Sequence, residues 1–534
     1  MIKKTIALFM MVCLVLSLGA CGSTSSGTPS TPGTSGSPDA SGNGEGAAPA
    51  RKESIVSAAA SEADLFFMYN TVGAATNMDE VPILHNVYDT LVKLNPDNSI
   101  TPLLAESWEI SEDGMDYTMK IRQGVTFHNG YPLTVEDVAF TLNYGSQTPG
   151  ATSLMFAVDN CEIIDDSTVV IHLKAPFGGF LNSLASRYGL VVSKKYFDEV
   201  GEEGYAEKPV GTGPYIFADR TPGDSITLEA FPDYWGGEAS IKTIYHKVIS
   251  DPNAQIMALE NGEIDVLINT NIAPLLKLPE SSPVKYKVQT AASVMPMHFN
   301  MGEKAGITKD INFRRAVQYA IDKEEINIGT YEGYAQPAPI VIVPGFTGYP
   351  GEGNFNVIER DVEKAKEFLK AANYNGEEFS ICVTAGTRAE TTAQIIQGQL
   401  IEVGINCTVN AVDSVSWTAI TRQSGDFGAH LRPSSSSTLD ADIMYFNFNS
   451  TYLSKETYHI GNHLPELDEL LVTGRTESDA EKRREIYAQA ANIVTDQALA
   501  IPTLYDMNVV AFNEKMNGVE PGALVGLYYM HDWS

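Results

Sequence analysis

The spacing of apolar residues changes repeatedly along the chain, and each change marks an expected element. Within 104–138, residues 107–110 read as a short half-apolar strand and Ser111-Glu112-Asp113-Gly114 as a turn. Tyr117, Met119 and Ile121 then alternate with Thr118, Lys120 and Arg122, the two-residue period of a half-buried strand. His128-Asn129-Gly130 supplies another turn, because Asn and Gly tolerate positive φ. Thr134, with Asp137 three residues on, is placed to open a helix as a capping box. Apolar residues at helical spacing predict helices over 81–94, 312–328, 361–373 and 481–496, with Asn312 placed to cap the second. Strands are expected at 53–60, at 160–164 and 167–173 about an Asp165-Asp166 turn, and at 215–217, 264–268, 297–300 and 500–505. A strand at 379–383, a helix at 391–403 and a strand at 405–412 make a βαβ unit whose strands can be parallel neighbours.

At 534 residues the chain is too long for one core, and two or three domains are expected. The formal charge is -31, and loss of Lys3 and Lys4 with a leader would take it to about -33. That acidity argues against nucleic acid and against docking on anionic lipid. Lys3 and Lys4 precede an apolar run over 6–18 that is too short for a stable membrane span. The run ends in Leu18-Gly19-Ala20-Cys21, which resembles a bacterial lipobox and implies cleavage before Cys21 and a diacylglyceryl group on its sulfur. Residues 22–49 are almost entirely Gly, Ser, Thr, Pro and Ala, a composition that cannot repay its ordering entropy, so a disordered tether is expected. Of five cysteines, Cys161, Cys382 and Cys407 remain after Cys13 and Cys21. A Cys382–Cys407 disulfide is one reading and buried free thiols the favoured one; no metal-ligand spacing of Cys or His occurs.

The wording of 104–138, LAESWEISEDGMDYTMKIRQGVTFHNGYPLTVEDV, closely resembles a signature of the family 5 extracellular solute-binding proteins, the capture components of ABC importers for oligopeptides, dipeptides and nickel. Further motifs are similar to that family in the same order: NVYDTLV from Asn86, PVGTGPY ending at Tyr215, YWGG at 234–237, FRRAVQYAIDKEEI from Phe313, and AIPTLY ending at Tyr505. The GTG at 211–213 is read as scaffold and not a phosphate loop, because no Lys-Ser/Thr follows and no helix opens there. The resemblance implies an α/β, two-lobe periplasmic-binding-protein-like fold with an extra subdomain in the first lobe and two crossing strands between the lobes. The implied division is a leader over 1–20, lipidated Cys21 and tether over 21–52, first lobe over 53–98, extra subdomain over 99–206, first lobe again over 207–295, second lobe over 296–500 and a return over 501–534.

It further implies a lipid-anchored monomer on the extracellular or periplasmic side. Its partners would be a small ligand, a permease and that permease's ATPase subunits, with no cofactor, no metal and no catalysis. No HExxH, GxSxG, P-loop or GxGxxG pattern opposes this. In the peptide binders of the family an acidic residue in a "W..D…DPD" segment takes the ligand's amine, and a basic residue in the βαβ connection takes its carboxylate. Arg388 is the candidate for the second role, because a guanidinium meets a carboxylate through two parallel bonds. The first departs from the pattern: Asp440 and Asp442 match the closing acids, but the amine anchor falls at Ser436 or Ser437, while His430 and Arg432 add positive potential. Short peptides are the expected ligand, with an oligosaccharide, an opine-like anion or a metal chelate as alternatives, and a signalling-peptide receptor as another role for the same fold. His430, His459 and His463 would serve a chelate, and Phe67, Tyr69 and Tyr445 would line pockets.

Overall fold

Two strands carry the architecture. Val284–Phe299 and Ala500–Asn513 pair antiparallel from Val284 opposite Asn513 to His298 opposite Ala500, with register shifts between Thr290 and Pro296. The structure, a computed structural model, describes residues 53–63, 80–148, 157–436, 438–450, 464–524 and 526–534. The lipobox and tether, Phe67, Tyr69, Ser437, His459 and His463 lie outside the described residues.

Each lobe adds strands to one side of the crossing pair, giving a single 12-stranded sheet. In the first lobe, Ser54–Ala59 runs parallel to both Thr243–Val248 and Val266–Leu267, and the latter pairs with the second crossing strand. In the second, Ala429–Leu431 pairs with the first crossing strand and lies parallel to Phe379–Thr384, which is parallel to Cys407–Val412. The expected βαβ unit is therefore present, closed by the helix Arg388–Glu402. Its register sets Phe379 opposite Cys407 and Cys382 opposite Asn410, so the two cysteines sit three positions apart along their strands, roughly 10 Å. Both are free and buried, as is Cys161. No crosslink should form, and all three thiols should titrate with a thiol reagent in denaturant without prior reduction.

The extra subdomain is a four-stranded antiparallel sheet in the order Ala105–Ile110, Asp116–Ile121, Thr168–Leu173, Val158–Asp165. Tyr117, Met119 and Ile121 are buried as their alternation predicts. The helix Val135–Gln147 covers the sheet, and Thr134 and Asp137 form its capping box, Asp137 Oδ2 accepting the Thr134 backbone N–H and hydroxyl at 2.8 and 2.9 Å.

Two predicted helices differ from their pattern: one is cut short and one is divided. The helix expected over 81–94 ends at Val87, and Tyr88 is extended. The Val87 carbonyl, which a longer helix would give to the residue four on, instead accepts from Gly213 N–H at 3.0 Å. A Cβ at Gly211 would stand 2.0 Å from that same oxygen, so only glycine lets the 211–213 segment close over the helix end. The helix expected over 312–328 divides into Ile311–Ala320 and Lys323–Tyr331. Asp322 divides it, its carboxylate accepting the N–H groups of Glu324 and Glu325 at 3.0 and 3.1 Å as a new N-cap. Asp310, and not Asn312, caps the first half.

Candidate functional site

In an open parallel arrangement the carboxyl ends of the strands face one crevice, and ligands bind there. Phe379–Thr384 and Ala429–Leu431 are parallel, so the segments that leave them emerge on the same edge. Arg388 follows the first and Arg432 to Ser436 follow the second. Ser434 and Ser435 pair with Val294 and Ser293 on the first crossing strand, which brings this edge to the junction of the lobes. Gln336–Pro337 reaches the same junction from the other side by pairing with Tyr505 and Leu504.

Arg388 heads its helix and leans over the Tyr331 ring, guanidinium carbon 4.8 Å from the centroid. Its Nη1 lies 3.4 Å from Asp506 Oδ1 on the second crossing strand, and the two side chains remain 38% and 20% exposed. The contact uses one of five N–H groups, so the fork is largely uncommitted. Burial, and then the Asp506 charge, push the Tyr331 hydroxyl above its usual value, which keeps it neutral beneath the pair.

The other predicted residues divide. Arg432 is exposed, with its guanidinium carbon 5.0 Å from the Trp417 ring centroid. His430 sits under it, buried among Trp417, Phe427 and His298, whose rings are 5.4, 5.7 and 5.1 Å away. Burial first, then His298 and the two arginines Arg432 and Arg422, hold His430 well below the usual imidazole value. It is a neutral packing group in this conformation. Ser436 is buried; its N–H donates to the Ala292 carbonyl and its hydroxyl accepts from Thr438 N–H.

Asp440 does not join Arg388. Its two oxygens accept from Arg483 Nη1 and Nη2, both at 2.8 Å, with the side chains 2% and 1% exposed. Asp442 is held by Arg475 through one oxygen, Oδ2 accepting from Nη2 and Nε at 2.7 and 2.9 Å. Both arginines lie on the helices Pro465–Thr476 and Ala480–Asp496, and the Gly178-Gly179 backbone of the extra subdomain lies against the pairs, Gly178 N–H donating to the Arg475 carbonyl at 3.1 Å. Tyr445 is buried and stacked on Tyr487 at 5.7 Å. These matching acids therefore tie helices together. Asp506 is the functional candidate that sequence reasoning passed over; its one signal was position, an acid within the apolar run of the returning strand.

A separate cavity of about 220 Å³, lined by Leu94, Pro96, Ala523, Leu527, Tyr529 and Trp533 among others, shares none of these residues. Among the described residues no cluster of three metal-ligating side chains occurs, and no helix is long and apolar enough to cross a membrane.

A family model for the middle region of the bacterial extracellular solute-binding proteins, family 5, matches residues 99–455. Heme-binding protein A of Haemophilus influenzae is 28% identical over 515 residues, covering 88% of this chain and 92% of its own. The dipeptide-binding protein of Escherichia coli K12 is 27% identical over 478 residues, covering 81% and 85%. The solved structure of HbpA2 from Haemophilus parasuis superposes with a TM-score of 0.79 at 25% identity, covering 90% of this chain and 99% of that one.

Proposed function

Because the chain belongs to the bacterial extracellular solute-binding proteins of family 5, we propose that it captures short peptides between its lobes and delivers them to the permease of an ABC importer. It is held at the outer face of the membrane by lipid on Cys21 and performs no turnover of its own. The observation that carries the ligand reading is Arg388. It stands at the carboxyl edge of the second lobe's sheet, at the lobe junction, with most of its guanidinium available for a carboxylate. A second reading, a non-peptide anion, is supported by exposed Arg432, which precedes Ser434 and Ser435 in the segment that reaches the lobe junction.

A thermal-shift screen of the purified protein against di- to pentapeptides, oligosaccharides, opines and nickel chelates separates the two. A ligand that binds only the folded state adds about 2.7 kcal/mol at a hundredfold excess over Kd. Short peptides should raise the midpoint. Arg388→Ala should weaken them about 10- to 100-fold, in line with roughly 1.5–3 kcal/mol for hydrogen bonds to a charged group. A shift given by sugars or opines and by no peptide would sink the peptide reading.

A further inference from the structure

We infer that Asp506 takes the ammonium of the ligand whose carboxylate Arg388 holds, which makes the site a gauge for free dipeptides. This rests on the peptide reading above and adds to it the amine anchor and the ligand's length. A peptide's ammonium needs an anion, and the expected segment has none to give. Ser436 is buried and engaged, and Asp440 and Asp442 are consumed by Arg483 and Arg475. Asp506 meets the need from a different element, the returning strand.

The two Asp–Arg pairs differ in geometry and exposure. Asp440–Arg483 has both carboxylate oxygens bonded at 2.8 Å and almost no exposure, the geometry of a finished structural pair. Asp506–Arg388 meets at a single 3.4 Å contact and is partly open to solvent. Asp506 Oδ1 is shared between Arg388 and the backbone N–H of Met507 at 2.8 Å, which leaves Oδ2 for a donor from outside. Beneath them the buried Tyr331 hydroxyl faces both the Asp506 carboxylate and the Arg388 guanidinium, so the pair rests on an apolar floor and opens on its outer side. A ligand with an ammonium at one end and a carboxylate at the other fits that side, amine to Oδ2 and carboxylate to the outer edge of the guanidinium.

The spacing sets the length. An extended chain advances about 3.3–3.6 Å per residue, so the charged ends of a dipeptide stand roughly 7 Å apart and those of a tetrapeptide roughly 14 Å. Two charges in contact at 3.4 Å, approached from their outer edges, suit the shorter span. A longer extended peptide reaches one of them and leaves its other terminus without a counter-charge.

Native mass spectrometry of the full chain tests this with three probes: a pool of free dipeptides, the same pool N-acetylated, and a pool of free tetrapeptides. The protein should retain free dipeptides and discriminate at least about 10-fold against the other two, the factor that a charged hydrogen bond supplies. In Asp506→Asn, free dipeptides should weaken by a similar factor and the preference over N-acetylated ones should vanish. A purely structural role for Asp506 would leave that ratio untouched. Asp506→Asn that still prefers free dipeptides, or wild-type protein that binds N-acetyl dipeptides or tetrapeptides equally well, overturns the gauge and leaves peptide capture standing. Retention of none of the three pools overturns both.

Discussion

Asp440→Ala is expected to lower folding stability by about 3–5 kcal/mol, the range for removing one partner of a buried ion pair and leaving the other charge uncompensated. The Arg483 guanidinium is 2% exposed and donates to both Asp440 oxygens and to the Gly474 carbonyl at 2.8 Å, so water cannot replace what is lost. Asp440 also accepts Asp442 N–H at 2.8 Å as the cap of the helix Ala441–Met444. The neighbouring backbone depends on the same carboxylate, since a Cβ on Gly179 would come within 2.7 Å of its carbon. Urea midpoints for Asp440→Ala and Asp506→Ala make the comparison. The second replaces a partly exposed partner and should change stability by less than about 1 kcal/mol. If Asp440→Ala changed it as little, the pair would not be holding these helices and Asp440 would return as a ligand candidate.

That comparison also shows where the sequence stops being legible. The strands, the βαβ unit and the capping box at Thr134 follow from periodicity and short-range chemistry, because their causes lie within a few residues of each other. The end of the helix at Val87 is invisible for the opposite reason: its cause is Gly211 and Gly213, more than a hundred residues on. Asp322 was visible as an acid, but inside a continuous apolar stripe nothing local says that it caps instead of facing solvent. The site divides along the same line. Arg388 could be placed because a strand-to-helix connection has a fixed position relative to a parallel sheet. Asp506 could not, since only the pairing of the two crossing strands brings it to Arg388. Asp440 is a site candidate by its match to the closing acids, and its partner Arg483, 43 positions away, is not visible locally.

Acidification is expected to unfold the protein between pH 6.5 and pH 4, and histidines dominate the effect. Burial pushes His85, His128, His246 and His298 down to about 4, and His430 well below the usual value. In the unfolded chain each returns to about 6.5. Across that window the unfolded state binds more protons, so stability rises with pH and is lost as pH falls. A depression of this size corresponds to on the order of 3 kcal/mol per histidine once pH reaches the folded value. Asp89 works in the other direction. Burial raises it to about 6 despite hydrogen bonds from Trp235, Thr212 and Tyr234, so its share of stability grows as pH falls through 6 towards 4. Asp89 offsets about one histidine, and lesser upward shifts of Asp137, Asp442, His172 and His531 act with it, but five histidines are depressed, so the net slope is towards acid lability. Urea midpoints at pH 7, 6, 5 and 4 should fall progressively, and His298→Gln should remove about one histidine's share of the fall while its effect at pH 7 is set by packing alone. A midpoint that held steady down to pH 4 would mean that these rings gain water or an acceptor on protonation, and the buried His298–His430 contact between the first crossing strand and Ala429–Leu431 would be the place to find it.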